Sequence, residues 1–147
     1  MMVSSVSQRR RAYWPFSHTA DVGLHIWGAS LTELFANAAR ALTAIMVDRR
    51  RLRRGLSREI SVEAPDLEAL LVAWLNQLLY LYDVEGFLGR DFTIIRLTPE
   101  TLKAQAVGEI YDPARHVGKT AVKAATYHRL EISRTEDGWR ATVILDL

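Results

Sequence analysis

The sequence predicts an α+β fold: two amphipathic helices packed on a mostly antiparallel or mixed β-sheet, in a single two-layer domain. Two stretches carry apolar residues at helical spacing, and several others alternate with the two-residue period of strands. Two pairs of these strand-like runs are joined by turns short enough for hairpins, which makes the paired runs antiparallel neighbours.

From Ala20 to Trp27, Val22, Leu24 and Ile26 alternate with Gly23, His25 and Trp27, the pattern of a strand covered on at least one face, and Gly28 closes it. Ser30 and Glu33 form a capping box, after which Leu31, Leu34, Phe35, Ala38, Leu42, Ile45 and Met46 recur along one helical stripe. An arginine-rich loop follows. The run "LSREISVEA", residues 56–64, alternates imperfectly and is bounded by Pro65, which suits a strand. Asp66 is a natural N-cap for the next helix, whose Leu67, Leu70, Leu71, Trp74, Leu75, Leu78, Leu79 and Tyr82 form a broad apolar face. The runs "DFTIIRL" and "TLKAQAVGEI" meet at Thr98, Pro99 and Glu100, and "TYHRLEISR" and "GWRATVILDL" meet at Glu136, Asp137 and Gly138. Between the hairpins, Tyr111 to Val122 has no period and reads as irregular backbone carrying Asp112, His116 and Lys119.

The chain has 147 residues, enough for one core that buries roughly 70% of the unfolded surface without staples. Residues 1–12, Ser- and Arg-rich without an apolar segment, are expected to be a flexible tail, and residues 13–147 a single domain. That tail does not resemble a secretory signal, so a cytoplasmic location is expected, with an organellar transit peptide as the alternative. Hydrophobic residues make up 49% and charged residues 24%, a globular rather than disordered balance. There is no cysteine, which excludes disulfides and thiolate metal sites. The formal net charge is only +2, yet Arg49, Arg50, Arg51, Arg53, Arg54 and Arg58 fall within one short stretch, either a solvated loop or a surface that meets phosphate.

Several motifs weaken on inspection. Gly118, Lys119 and Thr120 end like a phosphate loop, but Pro113 stands where its first glycine should be. Ser17, His18 and Asp21 make a triad only on paper, because adjacency in sequence is not the geometry that a nucleophile and base need. His25 and His128 lie in strand patterns and read as structural histidines. Asp21 and Asp146 resist dismissal. Asp is ill suited to strands, and a buried anion must be paired, protonated or bound to a cation. If the two strand ends met, the carboxylates would repel by about 1 kcal/mol at 4 Å in water and ~4 kcal/mol at an effective dielectric near 20. A hard divalent cation, Ca²⁺, Mg²⁺ or Mn²⁺, would reverse that sign. Periodicity alone leaves open whether the ends meet.

Five blocks, "SHTADVGLHIWGASLTELFANAARAL", "DLEALLVAWLNQLLY", "GEIYD", "VKAATYH" and "VILDL", occur in this order, and together they resemble the archease family from about Phe16 to Leu147. The resemblance implies a small accessory protein of tRNA splicing and RNA repair, not itself an enzyme, whose partner is an RtcB-type RNA ligase that joins 2′,3′-cyclic phosphate and 5′-hydroxyl ends. It would promote GTP-dependent guanylylation of that ligase and its multiple turnover, with tRNA met indirectly through the ligase. Carried over residue by residue, a divalent cation, calcium among the candidates, would sit on Asp21, Asp146 and the α-carboxylate of Leu147. Lys123 would be functionally important. His18, Glu109, Asp112, His116 and His128 match the blocks without individual roles. Two other readings remain, a stand-alone metal-dependent phosphoesterase or nuclease and a chaperone-like RNA-binding module.

Overall fold

A computed structural model describes residues 12–17 and 21–147. His18 and nearly all of the expected tail, residues 1–12, lie outside the described residues. The chain runs β1 (Tyr13–Ser17), β2 (Asp21–Gly28), α1 (Leu31–Met46), a 3₁₀ turn (Arg49–Arg51), β3 (Leu56–Glu63), α2 (Leu67–Glu85), β4 (Phe87–Leu97), β5 (Thr101–Ile110), β6 (Ala124–Thr135) and β7 (Gly138–Asp146).

Each helix starts where its sequence says it should. The Ser30 hydroxyl accepts the Glu33 N–H at 3.1 Å, while the Glu33 carboxylate accepts the Ala29 N–H at 3.1 Å. Asp66 accepts the Ala69 N–H at 2.8 Å and so caps α2. At the far end of α2, Gly86 takes the left-handed conformation, φ 76°, and its N–H returns to the Tyr82 carbonyl. That stop turns the chain directly into β4, which begins at Phe87, four residues before the alternation at Asp91 announces it. Gly28 has a different constraint: a Cβ there would lie 2.4 Å from the Leu34 nitrogen, so β2 and the first turn of α1 approach too closely for a side chain.

The α+β class and the helices on antiparallel sheet are as expected, and every strand pairing is antiparallel. What the hairpin signals do not specify is how the hairpins divide. One sheet has the order β1-β2-β7-β6 and the other β3-β5-β4. Helix α1 packs on β2 and on β4, and α2 on β6 and on β3, β4 and β5, so both helices touch both sheets. This explains why α1 buries more than one stripe: Leu34, Phe35, Ala38, Ala39, Ala41 and Leu42 are all at most 1% exposed. Its alanines let backbone approach on faces where larger side chains would clash. The core joins these residues to Leu24, Ile26, Leu71, Trp74, Leu75, Val143 and Leu145. Trp74 donates its indole N–H to the Phe35 carbonyl at 2.9 Å, tying the helices together without leaving a buried donor unpaired.

Candidate functional site

The central question from the sequence is whether the two carboxylate-bearing strand ends meet. They do. Val22, Leu24 and Ile26 face the core from β2, as Ala141, Val143 and Leu145 do from β7, and this alternation fixes the register. Asp21, the first residue of β2, is therefore directly opposite Asp146, the last of β7. Directly opposed residues of an antiparallel pair project to one face with Cβ atoms about 4.5–5.5 Å apart, and like charges so placed are destabilising. Asp146 is exposed, but the Asp21 Oδ1 atom is buried without a hydrogen-bond partner among the described residues. A carboxylate oxygen cut off from water and left without a donor is the state that a cation relieves.

Asp146 also pairs with Ala124 on β6, and its carbonyl accepts the Lys123 N–H at 2.8 Å. The Lys123 backbone is thereby pinned to Asp146, and its side chain is exposed. A residue the sequence reading passed over holds this corner in place. From α2, the Asn76 carboxamide accepts the Ala125 N–H at 2.8 Å and donates to the Ala125 carbonyl at 3.2 Å. It pairs with one residue of the edge strand β6 as a neighbouring strand would. The signal was Asn76 within the apolar run "AWLNQLLY", where a half-buried polar side chain needs a specific partner.

Glu109, Asp112 and His116 form a separate network. Glu109, 9% exposed on β5, accepts the Arg53 backbone N–H at 2.6 Å, the His116 ring at 2.9 Å and the Arg115 guanidinium. The other His116 nitrogen, Nδ1, accepts the Asp112 N–H at 2.8 Å, so the proton of a neutral ring lies on Nε2 and is donated to Glu109. Arg115, with the Arg53 and His116 donors, outweighs burial and holds the Glu109 carboxyl down at about 2. These residues latch the irregular 111–117 segment onto β5 and are bonded to one another rather than to the aspartate pair.

The two strand histidines differ. His25 fits the structural reading, with Nδ1 3.2 Å from the Thr142 hydroxyl and its ring 5.4 Å from that of Trp14. Burial, assisted by Arg140, lowers its pKa. His128 does not fit it. Thr126 faces Ile144 and Glu131 faces Thr142, so Tyr127 to Leu130 stand opposite Val143 alone as a bulge, with Arg129 at φ 54°. His128 is exposed on this bulge, because the extra residues break the alternation that would have faced it along the strand.

The phosphate-loop resemblance of Gly118, Lys119 and Thr120 fails for a stated reason. The Lys119 and Thr120 N–H groups donate to the Met46 and Ile45 carbonyls at 2.9 and 3.1 Å, closing the C-terminus of α1, and are not free to cradle an anion. Beside them is a cavity of about 270 Å³ lined by Met46, Tyr82, Asp83, Tyr111, Lys119 and Val122. The described residues contain no group of three or more His, Cys, Asp or Glu side chains arranged to hold a metal. The aspartate pair supplies two side-chain carboxylates. No helix of the described residues is long and apolar enough to cross a membrane.

Comparison with known proteins agrees with this architecture. The Archease protein family (MTH1598/TM1083) matches residues 13–147. Protein archease of Methanosarcina barkeri is 38% identical over 146 residues, covering 97% of this chain and 100% of the relative. Protein archease of Pyrococcus abyssi is 41% identical over 136 residues, covering 90% and 96%. The solution structure of Methanobacterium thermoautotrophicum protein 1598 superposes with a TM-score of 0.79 at 32% identity, covering 92% of this chain and 99% of that one. The crystal structure of a Thermotoga maritima archease, described as a possible chaperone, has a TM-score of 0.62 at 22% identity over 91% and 96%, and shares the fold. Matched from its first described strand to its last residue, with relatives of nearly its own length, the chain belongs to the archease family.

Proposed function

We propose that Asp21 and Asp146 form an oxygen-donor site for a divalent cation, with the Leu147 α-carboxylate as the third donor that the family resemblance implies. We further propose that through this tip the protein acts as a non-enzymatic activator of an RtcB-type RNA ligase. The observation that carries the reading is the opposition of the two aspartates, with one Asp21 oxygen buried and unpartnered among the described residues. Carboxylate-only donors suit Ca²⁺, Mg²⁺ or Mn²⁺. A cation so held would offer a phosphate oxygen a positive charge at fixed position.

The chain's own residues supply the rest. Lys123, tied through its backbone to Asp146 and exposed, would supply an ammonium to a phosphate group. Asn76 holds the start of β6 against α2, so the corner carrying Lys123 does not swing away from β7. A stand-alone phosphoesterase would need a water-activating base at the same point. The described acid–histidine pair, Glu109 with His116, is instead closed around Arg115.

The test is an assay of ligase guanylylation from GTP and of ligation turnover with wild type, Asp21→Ala, Asp146→Ala and Lys123→Ala. All three substitutions are expected to reduce stimulation, the aspartates most. Full stimulation by all three variants would reject the tip as the working surface. Phosphoester hydrolysis by the isolated protein with Mn²⁺ would favour the enzymatic reading instead.

A further inference from the structure

The arginine stretch after α1 is solvent-exposed and set on a hydrogen-bonded framework. Arg49 to Arg51 form a 3₁₀ turn capped by Asp48. Two arginines build the framework and leave their charge unneutralised. Arg49 donates to the Arg90 carbonyl at 3.1 Å, and Arg90 donates to the Leu52 and Arg50 carbonyls at 2.7 and 3.3 Å. Around it, Arg54 pairs with Asp91, Arg58 with Glu85, Arg115 with Glu109 and Asp112, and Arg50 and Arg51 share Asp48. Arg53 anchors through its backbone to Glu109 and exposes its side chain. The connected surface thus holds eight arginines against five carboxylates, an excess of three in a chain of net charge +2. The sequence's other basic run, Arg9, Arg10 and Arg11, lies outside the described residues.

We propose that this surface binds the phosphodiester backbone of RNA. Guanidinium forks match phosphate oxygens two at a time, and the outward groups reach solvent: the Arg50, Arg51 and Arg54 side chains are 90%, 60% and 59% exposed although each pairs with Asp48 or Asp91. The same run carries no aromatic side chain on which a base could stack, and its Leu52 is fully buried, so recognition is of backbone charge rather than sequence. The framework matters energetically, because arginines already set on a rigid turn lose less side-chain freedom on binding than those of a mobile loop.

The surface also has a defined place relative to the aspartate pair. Asp48 donates its N–H to the Val117 carbonyl, Val47 bridges Gly118, and Lys123 bonds Asp146. The chain from Val117 to Lys123, at most roughly 20 Å when fully extended, connects the two features. The RNA surface does not depend on what the aspartates bind, since it is measured without ligase or divalent ion.

The experiment titrates the isolated full chain with a short RNA hairpin, with a single strand of the same length and with poly-L-glutamate, across about 50 to 200 mM salt in the presence of a chelator. Both RNAs are expected to bind, with log affinity falling linearly in log salt. The quadruple variant Arg50→Gln, Arg51→Gln, Arg53→Gln, Arg54→Gln is expected to lose at least about tenfold in affinity, and its salt slope to fall by about one for each phosphate contact removed. Circular dichroism and thermal unfolding of that variant check its fold, and Arg129→Gln with Arg134→Gln, on the other sheet, should bind as wild type. The proposal is overturned if wild type fails to bind either RNA at the lowest salt. It is also overturned if the folded quadruple variant binds RNA undiminished, or if poly-L-glutamate binds as tightly as RNA, which assigns the surface to an acidic protein.

Discussion

Glu109 and Asp21 are both carboxylates withdrawn from solvent at the end of a strand, and the fold treats them in opposite ways. Glu109 receives the Arg115 guanidinium, the His116 ring N–H and the Arg53 backbone N–H, and its carboxyl is held down at about 2. Asp21 is set against another acid, and one of its oxygens meets no donor. An anion whose donors come from three points of the chain is a clasp, and its charge is spent inside the fold. A buried anion facing a like charge is a cost that the fold leaves to something outside itself. The two acids should therefore respond in opposite directions to the same chemical changes.

The largest expected effect is at the clasp. Glu109→Gln replaces an anion that holds Arg115 and His116, and should destabilise the fold by about 3 kcal/mol, a drop in Tm of roughly 6–12 °C. Urea unfolding checks it, and a loss below about 1 kcal/mol would mean the network contributes geometry and little stability. The same residue gives a pH signature. Its carboxyl is near 2 when folded against 4.5 as its ordinary value, so the stabilisation is complete above 4.5 and is lost as pH falls toward 2. Wild type should lose stability through that window more steeply than Glu109→Gln.

The second effect belongs to the aspartate pair and is seen only with added ion. Mg²⁺, Mn²⁺ or Ca²⁺ at about a hundred times its dissociation constant should stabilise wild type by about 2.7 kcal/mol, reversed by chelator. Glu109→Gln, starting lower, should gain the same increment, whereas Asp21→Ala should gain none. A divalent upshift that survives Asp21→Ala places the ion elsewhere.

These contrasts also mark what the sequence could carry. The helices were legible because Ser30, Glu33 and Asp66 cap them by local hydrogen bonds, and the hairpins because their turns are local too. The division into two sheets was not, because it depends on both faces of Ala-rich α1 being covered, and a stripe of Leu and Phe specifies one face. Asp21 and Asp146 stood out as acids in strand patterns, but their meeting rests on the register of β2 with β7, a pairing across nearly the whole chain. His128 misled because alternation cannot anticipate a bulge, and Asn76 escaped notice because its partner, Ala125, is a backbone 49 residues away.

A smaller effect tests the support of the corner. Asn76→Ala removes both bonds to Ala125 and leaves that residue's backbone with water or nothing, for about 1–2 kcal/mol. Its distinguishing readout is the divalent upshift. If Asn76 positions the β6 corner, the upshift shrinks along with stability; an unchanged upshift would make Asn76 a packing residue alone.

The smallest effect has the opposite sign and separates the two acids most sharply. Asp21→Asn keeps the shape, removes one of two like charges and introduces an N–H₂ that can donate across the strand pair to Asp146. Without divalent ion this should leave the protein as stable as wild type or up to ~1 kcal/mol more so, a gain of roughly 2–4 °C in Tm, because the repulsion between the carboxylates disappears. The gain should be larger at low salt, where wild type feels that repulsion most. With saturating divalent ion the order should invert, since only wild type can recruit the cation. If Asp21→Asn instead costs stability in chelator, as Glu109→Gln is expected to, then Asp21 has donors after all and the pair is a second clasp rather than a cation site.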